Sequence, residues 1–169
     1  MKTKKLILII VLVILFVTVV LSCFNPRIQI YLSLMEYSQI TKTDIPKDLH
    51  LTIYYIDPTI LTRYPLSVND LVSWDGVRII DVSYDQLVNH SDSLKKLDAS
   101  ILRPSKVEDY LDARLYYVFE TDHGQLLDVA ISHIGGHVYV NGIEVENNPV
   151  FYDIIVPFLS EDDLQILGI

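Results

Sequence analysis

Residues 114–132, RLYYVFETDHGQLLDVAIS, carry the strongest local signal in the chain. Two runs rich in β-branched and aromatic side chains, 114–121 and 125–132, flank Asp122-His123-Gly124. A three-residue hairpin loop uses a type I turn followed by a left-handed residue, and Gly124 stands where that residue is needed. The register sets Phe119 opposite Leu127, Tyr117 opposite Val129 and Leu115 opposite Ile131, all on one side of the sheet. The other side receives Arg114 with Ser132, Tyr116 with Ala130, and Val118 with Asp128. Sliding one strand by a residue mixes the two sets, so the alternation itself specifies the pairing.

Downstream, HVYVNGIEV (137–145) predicts a second hairpin, because Asn-Gly is the strongest two-residue turn signal. It sets Val140 against Ile143 and Val138 against Val145, with Tyr139 opposite Glu144 on the reverse side. Upstream, 49–57 reads as a strand stopped by Pro58, and 77–82 as another. Between them, 58–65 is bracketed by prolines and cannot be regular, and Ser67 with Asp70 opens a short helix. Ser83 with Gln86 opens a further helix, in which Leu87, Val88, Leu94 and Leu97 share a face. Asn148-Pro149 starts a helix that Pro157 ends, and Ser160 with Asp163 opens a last turn. The expectation is an α+β fold, an antiparallel meander of β-hairpins with helices packed on one face.

Towards the N-terminus the composition changes. Residues 6–24, LILIIVLVILFVTVVLSCF, contain no charge. A helix of about 20 apolar residues crosses the hydrocarbon core, which predicts one N-terminal transmembrane helix preceding the fold. Lys2, Lys4 and Lys5 precede it, and every acid follows it; the net charge of −9 becomes −12 once these three lysines are set aside. The positive-inside tendency then places the N-terminus in the cytoplasm and the C-terminal domain outside, and an exported domain of this size without cysteine suits a bacterial cell envelope. The chain divides into a basic N-terminus (1–5), a membrane anchor (6–24), a juxtamembrane helix and linker (25–48) and an extracytoplasmic α+β domain (49–169). Within the third segment, apolar side chains at 28, 31, 32, 35 and roughly 39–40 (Ile40), in a stripe widened by Ile30 and Leu34, predict a helix over 27–40.

The chain's single cysteine, Cys23, closes the apolar run. The tetrapeptide Val20-Leu21-Ser22-Cys23 resembles the lipobox of bacterial lipoproteins, with an aliphatic residue three places before the cysteine and a small one just before it. Leu21 departs from the small residue usual between them, and the apolar run is long for that class. The resemblance implies that Cys23 would be lipidated and become the mature N-terminus. The alternatives are an uncleaved helix, favoured by the length of the run, and ordinary signal cleavage, disfavoured because no A-x-A-like triplet follows. The first two keep the protein on the membrane.

The domain has no cysteine, which excludes internal disulfides, thiol catalysis and cysteine-based zinc sites. Its acidity disfavours nucleic acid as a partner. All six glycines (76, 124, 135, 136, 142 and 168) fall in predicted turns or at the terminus, leaving none to build a phosphate loop, so no nucleotide or other cofactor is expected. His133 and His137 bracket the turn between the hairpins and are the weak candidates to share a metal; His123 is too far away to be the third ligand, which would have to be a carboxylate such as Glu144 or Asp128. No catalytic residue is assigned, since none of the common nucleophile or metalloprotease motifs occurs. The tyrosines, 11 in all, suggest recognition instead. Arg114, Tyr116, Asp128, Tyr139 and Glu144 share one side of the sheet as a possible protein-binding face. The sequence thus favours a membrane-anchored, non-enzymatic binding or accessory domain over a cell-envelope hydrolase without a recognisable motif.

Overall fold

Six strands, β1 (His50–Tyr55), β2 (Arg78–Val82), β3 (Leu115–Thr121), β4 (Gly124–Ile131), β5 (Val138–Val140) and β6 (Ile143–Val145), form one sheet in the order β2-β1-β3-β4-β5-β6. Every neighbouring pair is antiparallel. The helices are α1 (Pro26–Lys42), α2 (Val68–Val72), α3 (Tyr84–Asn89), α4 (Ser91–Leu94), α5 (Val150–Asp153) and α6 (Glu161–Leu167). This computed structural model describes residue 11 and residues 25–103, 105, 110–132 and 136–169. Among the described residues no helix is long and apolar enough to cross a membrane. The expected anchor at 6–24 lies, Val11 apart, outside them.

The β3–β4 hairpin has the pairs that the alternation requires, Leu115 with Ile131, Tyr117 with Val129 and Phe119 with Leu127. Beyond Phe119 the register slips: Glu120 pairs with Gln125 and Thr121 with Gly124. Leu126 is thus the extra residue of a β-bulge, and both Leu126 and Leu127 turn into the same core. Burying a second leucine there is the gain that a straight three-residue loop would have forgone. In the β5–β6 hairpin Asn141 and Gly142 both have positive φ, 47° and 75°, as a type I′ turn demands.

The first face of the sheet carries Leu51, Ile53, Tyr117, Phe119, Leu127, Val129 and Val140, and it is covered by α1, α3, α4, α5 and α6. Here the stripe read from 28, 31, 32 and 35 proves to be the wrong side of α1. The buried residues are Ile30, Leu34, Tyr37, Ser38 and Thr41, whereas Ile28, Tyr31, Leu32 and Met35 are exposed. Tyr37 decides the phase. Its ring meets Phe119 edge-on at 4.8 Å and its hydroxyl donates to the Leu94 carbonyl oxygen at 3.1 Å, so α1 belongs to the same core as the sheet.

The capping boxes at Ser67–Asp70, Ser83–Gln86 and Ser160–Asp163 all form. The helix opened by Ser83 is shorter than the apolar spacing implies: α3 stops at His90, α4 restarts at Ser91, and Val88 is left exposed while Leu87, Leu94 and Leu97 are buried. At the end of β1 the Tyr55 hydroxyl donates to Asp163, and Arg78 lies 3.3 Å from the same carboxylate. This ties the edge of the sheet to the first turn of α6.

Helices do not cover one face only. The segment between β1 and β2 folds back over the second face, where α2 and its neighbours bury Leu66 and Leu71 against Tyr116, Val118, Ala130 and Tyr139.

Candidate functional site

The second face is where the irregular segment 58–65 finds its structure. Asp57 accepts from the Thr59 amide at 2.8 Å and from its hydroxyl at 2.6 Å, which shapes the entry to the loop. Its far end is held by Asp112, whose Oδ1 accepts from the Leu66 amide at 2.9 Å, and by the Ala113 amide, which donates to the Leu66 carbonyl at 2.8 Å.

Arg114 fills the space beneath. Only 8% of it is exposed. Its guanidinium donates to Asp112 Oδ2 at 2.8 Å, to the Ile60 carbonyl oxygen at 2.8 Å and to the Thr62 hydroxyl at 3.0 Å. A buried guanidinium has to be paired, and its planar fork serves a carboxylate and two loop oxygens together.

Because the backbone is pinned from below, the loop's apolar side chains are turned outward. Leu61 is 97% exposed and Tyr64 68%, with Ile60 beside them. The Arg63 guanidinium stacks over the Tyr64 ring, 5.4 Å from its centre. Opposite this loop stand α2 and Trp74. Between the two walls lies an open cavity of about 740 Å³, lined by Thr62, Arg63, Tyr64, Leu66, Asp70, Ser73 and Trp74 among others. Asp70 is already engaged: hydrogen bonds from Ser67 hold its carboxyl below the ordinary range. The groove therefore offers aromatic faces, a stacked cation and small hydroxyls, a combination suited to gripping a side chain of a partner.

The five residues expected to form a binding face share this side of the sheet, but three of them are covered and only Asp128 and Glu144 are partly exposed. Tyr116 and Tyr139 are buried, as Arg114 is. Tyr116 rests against Tyr54, ring centres 5.9 Å apart, and its hydroxyl lies 3.4 Å from Asp128. Burial pushes the Asp128 carboxyl above its usual value, opposed by hydrogen bonds from the Gln125 side chain, the Asn141 backbone and the Tyr116 hydroxyl. Glu144 accepts the His137 ring at 2.7 Å. The physical reason is that α2, Trp74 and the loops bury the very apolar atoms that make tyrosine attractive for recognition.

His133 and Cys23 lie outside the described residues. His123 is on the exposed turn of the first hairpin. Among the described residues, no group of three or more His, Cys, Asp or Glu side chains is arranged to hold a metal ion. The groove itself was missed by sequence reasoning. Its trace there is Tyr64, which follows Ile60 and Leu61 in a segment that two prolines keep irregular. No protein-family model, no curated protein and no solved structure matches this chain.

Proposed function

We propose that this protein is a membrane-anchored extracytoplasmic binding or accessory domain, without enzymatic activity, that contacts another envelope or extracellular protein. Residues 6–24 tether it, and the groove between the 58–66 loop and α2 is the contact surface. One observation carries this reading. Leu61, Tyr64 and Ile60 are held out in water by a loop whose backbone is fixed from beneath by Arg114. A loop ordered in advance loses little entropy on binding, and exposed apolar side chains at a groove mark a contact site. With a net charge of −9, the partner surface that fits is apolar with a basic rim.

Two measurements test it. A photo-reactive amino acid at Leu61, in cells making the full chain, should yield one discrete adduct that disappears when Tyr64→Ala and Trp74→Ala are combined. The same probe at Lys47, away from the groove, should yield none. Identical adducts from both positions, or none from Leu61, would sink the contact surface. Extraction of the membranes at alkaline pH tests the tether separately: release of the chain into the soluble fraction would overturn it.

A further inference from the structure

The outward side of α1 changes character along its length. Ile28, Tyr31, Leu32 and Met35, spaced i, i+3, i+4 and i+7, form one exposed stripe directly opposite Ile30, Leu34 and Tyr37. Continued by one and two further turns, the same stripe carries Gln39 and Lys42, both exposed. The apolar part is the part nearest the N-terminus, and Asn25, the residue before α1, directly follows the apolar run 6–24.

We propose that the first half of α1 lies against the bilayer, with Ile28, Tyr31, Leu32 and Met35 in the boundary between headgroups and acyl chains. This rests on the reading of residues 6–24 as the membrane anchor. At about 3.5 Å per residue, even a fully extended chain puts Ile28 within roughly 14 Å of Phe24. A helix with an apolar stripe settles about 5–10 Å into that boundary. From Ile28 to Met35 the helix advances about 10 Å, and beyond that its outer side becomes polar.

That gradient is what selects lipid over a second copy of the chain. A helix–helix seam would keep its apolar spacing along the contact, and two turns of it are too short for a stable coiled coil. An interfacial contact ends where the helix leaves the membrane. The arrangement also orients the domain. The core under α1 belongs to the first face of the sheet, so the groove on the second face is directed away from the membrane, open to a partner.

The full chain, with Trp74→Phe removing its one native tryptophan, is reconstituted in phosphatidylcholine vesicles whose acyl chains carry bromine near the headgroup end. Tyr31→Trp and, separately, Tyr64→Trp supply the reporter. The expected result is that the vesicles float with the protein, that bromine quenches the residue-31 reporter, and that the residue-64 reporter keeps its fluorescence. If the protein floats but the residue-31 reporter is unquenched, the lipid contact is overturned while the tether stands. Cross-linking between copies through Leu32 in that case names a second copy as the occupant. Quenching of both reporters overturns the orientation, and failure to float overturns the tether and the proposal together.

Discussion

The Arg114 guanidinium donates to the carbonyl oxygen of Ile60 at 2.8 Å, joining the residue that precedes β3 to a loop 54 residues earlier in the chain. Within the loop, Asp57 fixes only the entry, through Thr59. The conformation of the groove is therefore set by a residue that a partner would never touch.

Replacing that residue should show it. Arg114→Met leaves Asp112 and the loop oxygens without their donor and should cost about 2–3 kcal/mol of stability. Arg114→Lys keeps the charge, loses the planar fork and should recover only part of the loss. Urea unfolding measures both. Limited proteolysis should find new cleavage between 58 and 66 in the methionine variant at denaturant levels where the rest of the fold persists.

The phase of α1 can be checked with two neighbouring leucines. Leu34 is wholly buried and Leu32 is 57% exposed. Leu34→Ala should destabilise the fold by about 2–5 kcal/mol through lost burial and the cavity left behind. Leu32→Ala should change it by less than about 0.5 kcal/mol. Resistance of the detergent-solubilised chain to thermolysin over a urea series separates the two outcomes.

Asp163 should contribute to acid stability. Hydrogen bonds from Ser160 and then Tyr55 hold Asp163 down to about 2, from 3.8 in the unfolded chain. A lowered carboxyl binds its proton less readily when folded, so its contribution is complete above about pH 4 and is lost as pH falls towards 2. Asp163→Asn should lower stability at neutral pH and flatten that part of the acid limb. Tyr55 is pushed up to about 12, chiefly by burial and then by Asp163, so its contribution goes the other way and is lost as pH rises beyond about 10. Urea midpoints across the pH range, compared with Tyr55→Phe, test both limbs.

The tip of the second hairpin offers a test of backbone strain without steric clash. A Cβ added at Gly142 would meet nothing within 4 Å, yet its φ is +75°. Gly142→Ala should cost about 1–2 kcal/mol from conformation alone. Asn141→Ala should cost a comparable amount for a second reason, since Asn141 Oδ1 accepts from the Asp128 amide at 2.9 Å. Thermal or urea unfolding reads the loss, and an unchanged midpoint for Gly142→Ala would show that the turn relaxes.

Much of the sheet was legible in advance because its signals are local. The alternation around Asp122-His123-Gly124 specifies its own register until the bulge at Leu126, and Asn141-Gly142 specifies a turn whatever surrounds it. Capping boxes are equally self-contained, since Ser67, Ser83 and Ser160 each find their partner three residues on. The side of α1 that faces the core was not legible, because nearly every turn of that helix offers an apolar residue on both sides. Tyr37 settled it through Phe119 and Leu94, residues far along the chain. The groove was hidden for the same reason.

By itself, then, the sequence determined the α+β class, the antiparallel hairpins and the helix starts, all of which depend on residues within a few places of one another. The tertiary structure decided that Tyr116 and Tyr139 are covered, that Ile28, Tyr31, Leu32 and Met35 face outward, and that Tyr64 borders an open groove with Leu61 exposed on the same loop. Exposure is a property of what packs on top, and in this chain the covering segments lie dozens of residues from what they cover.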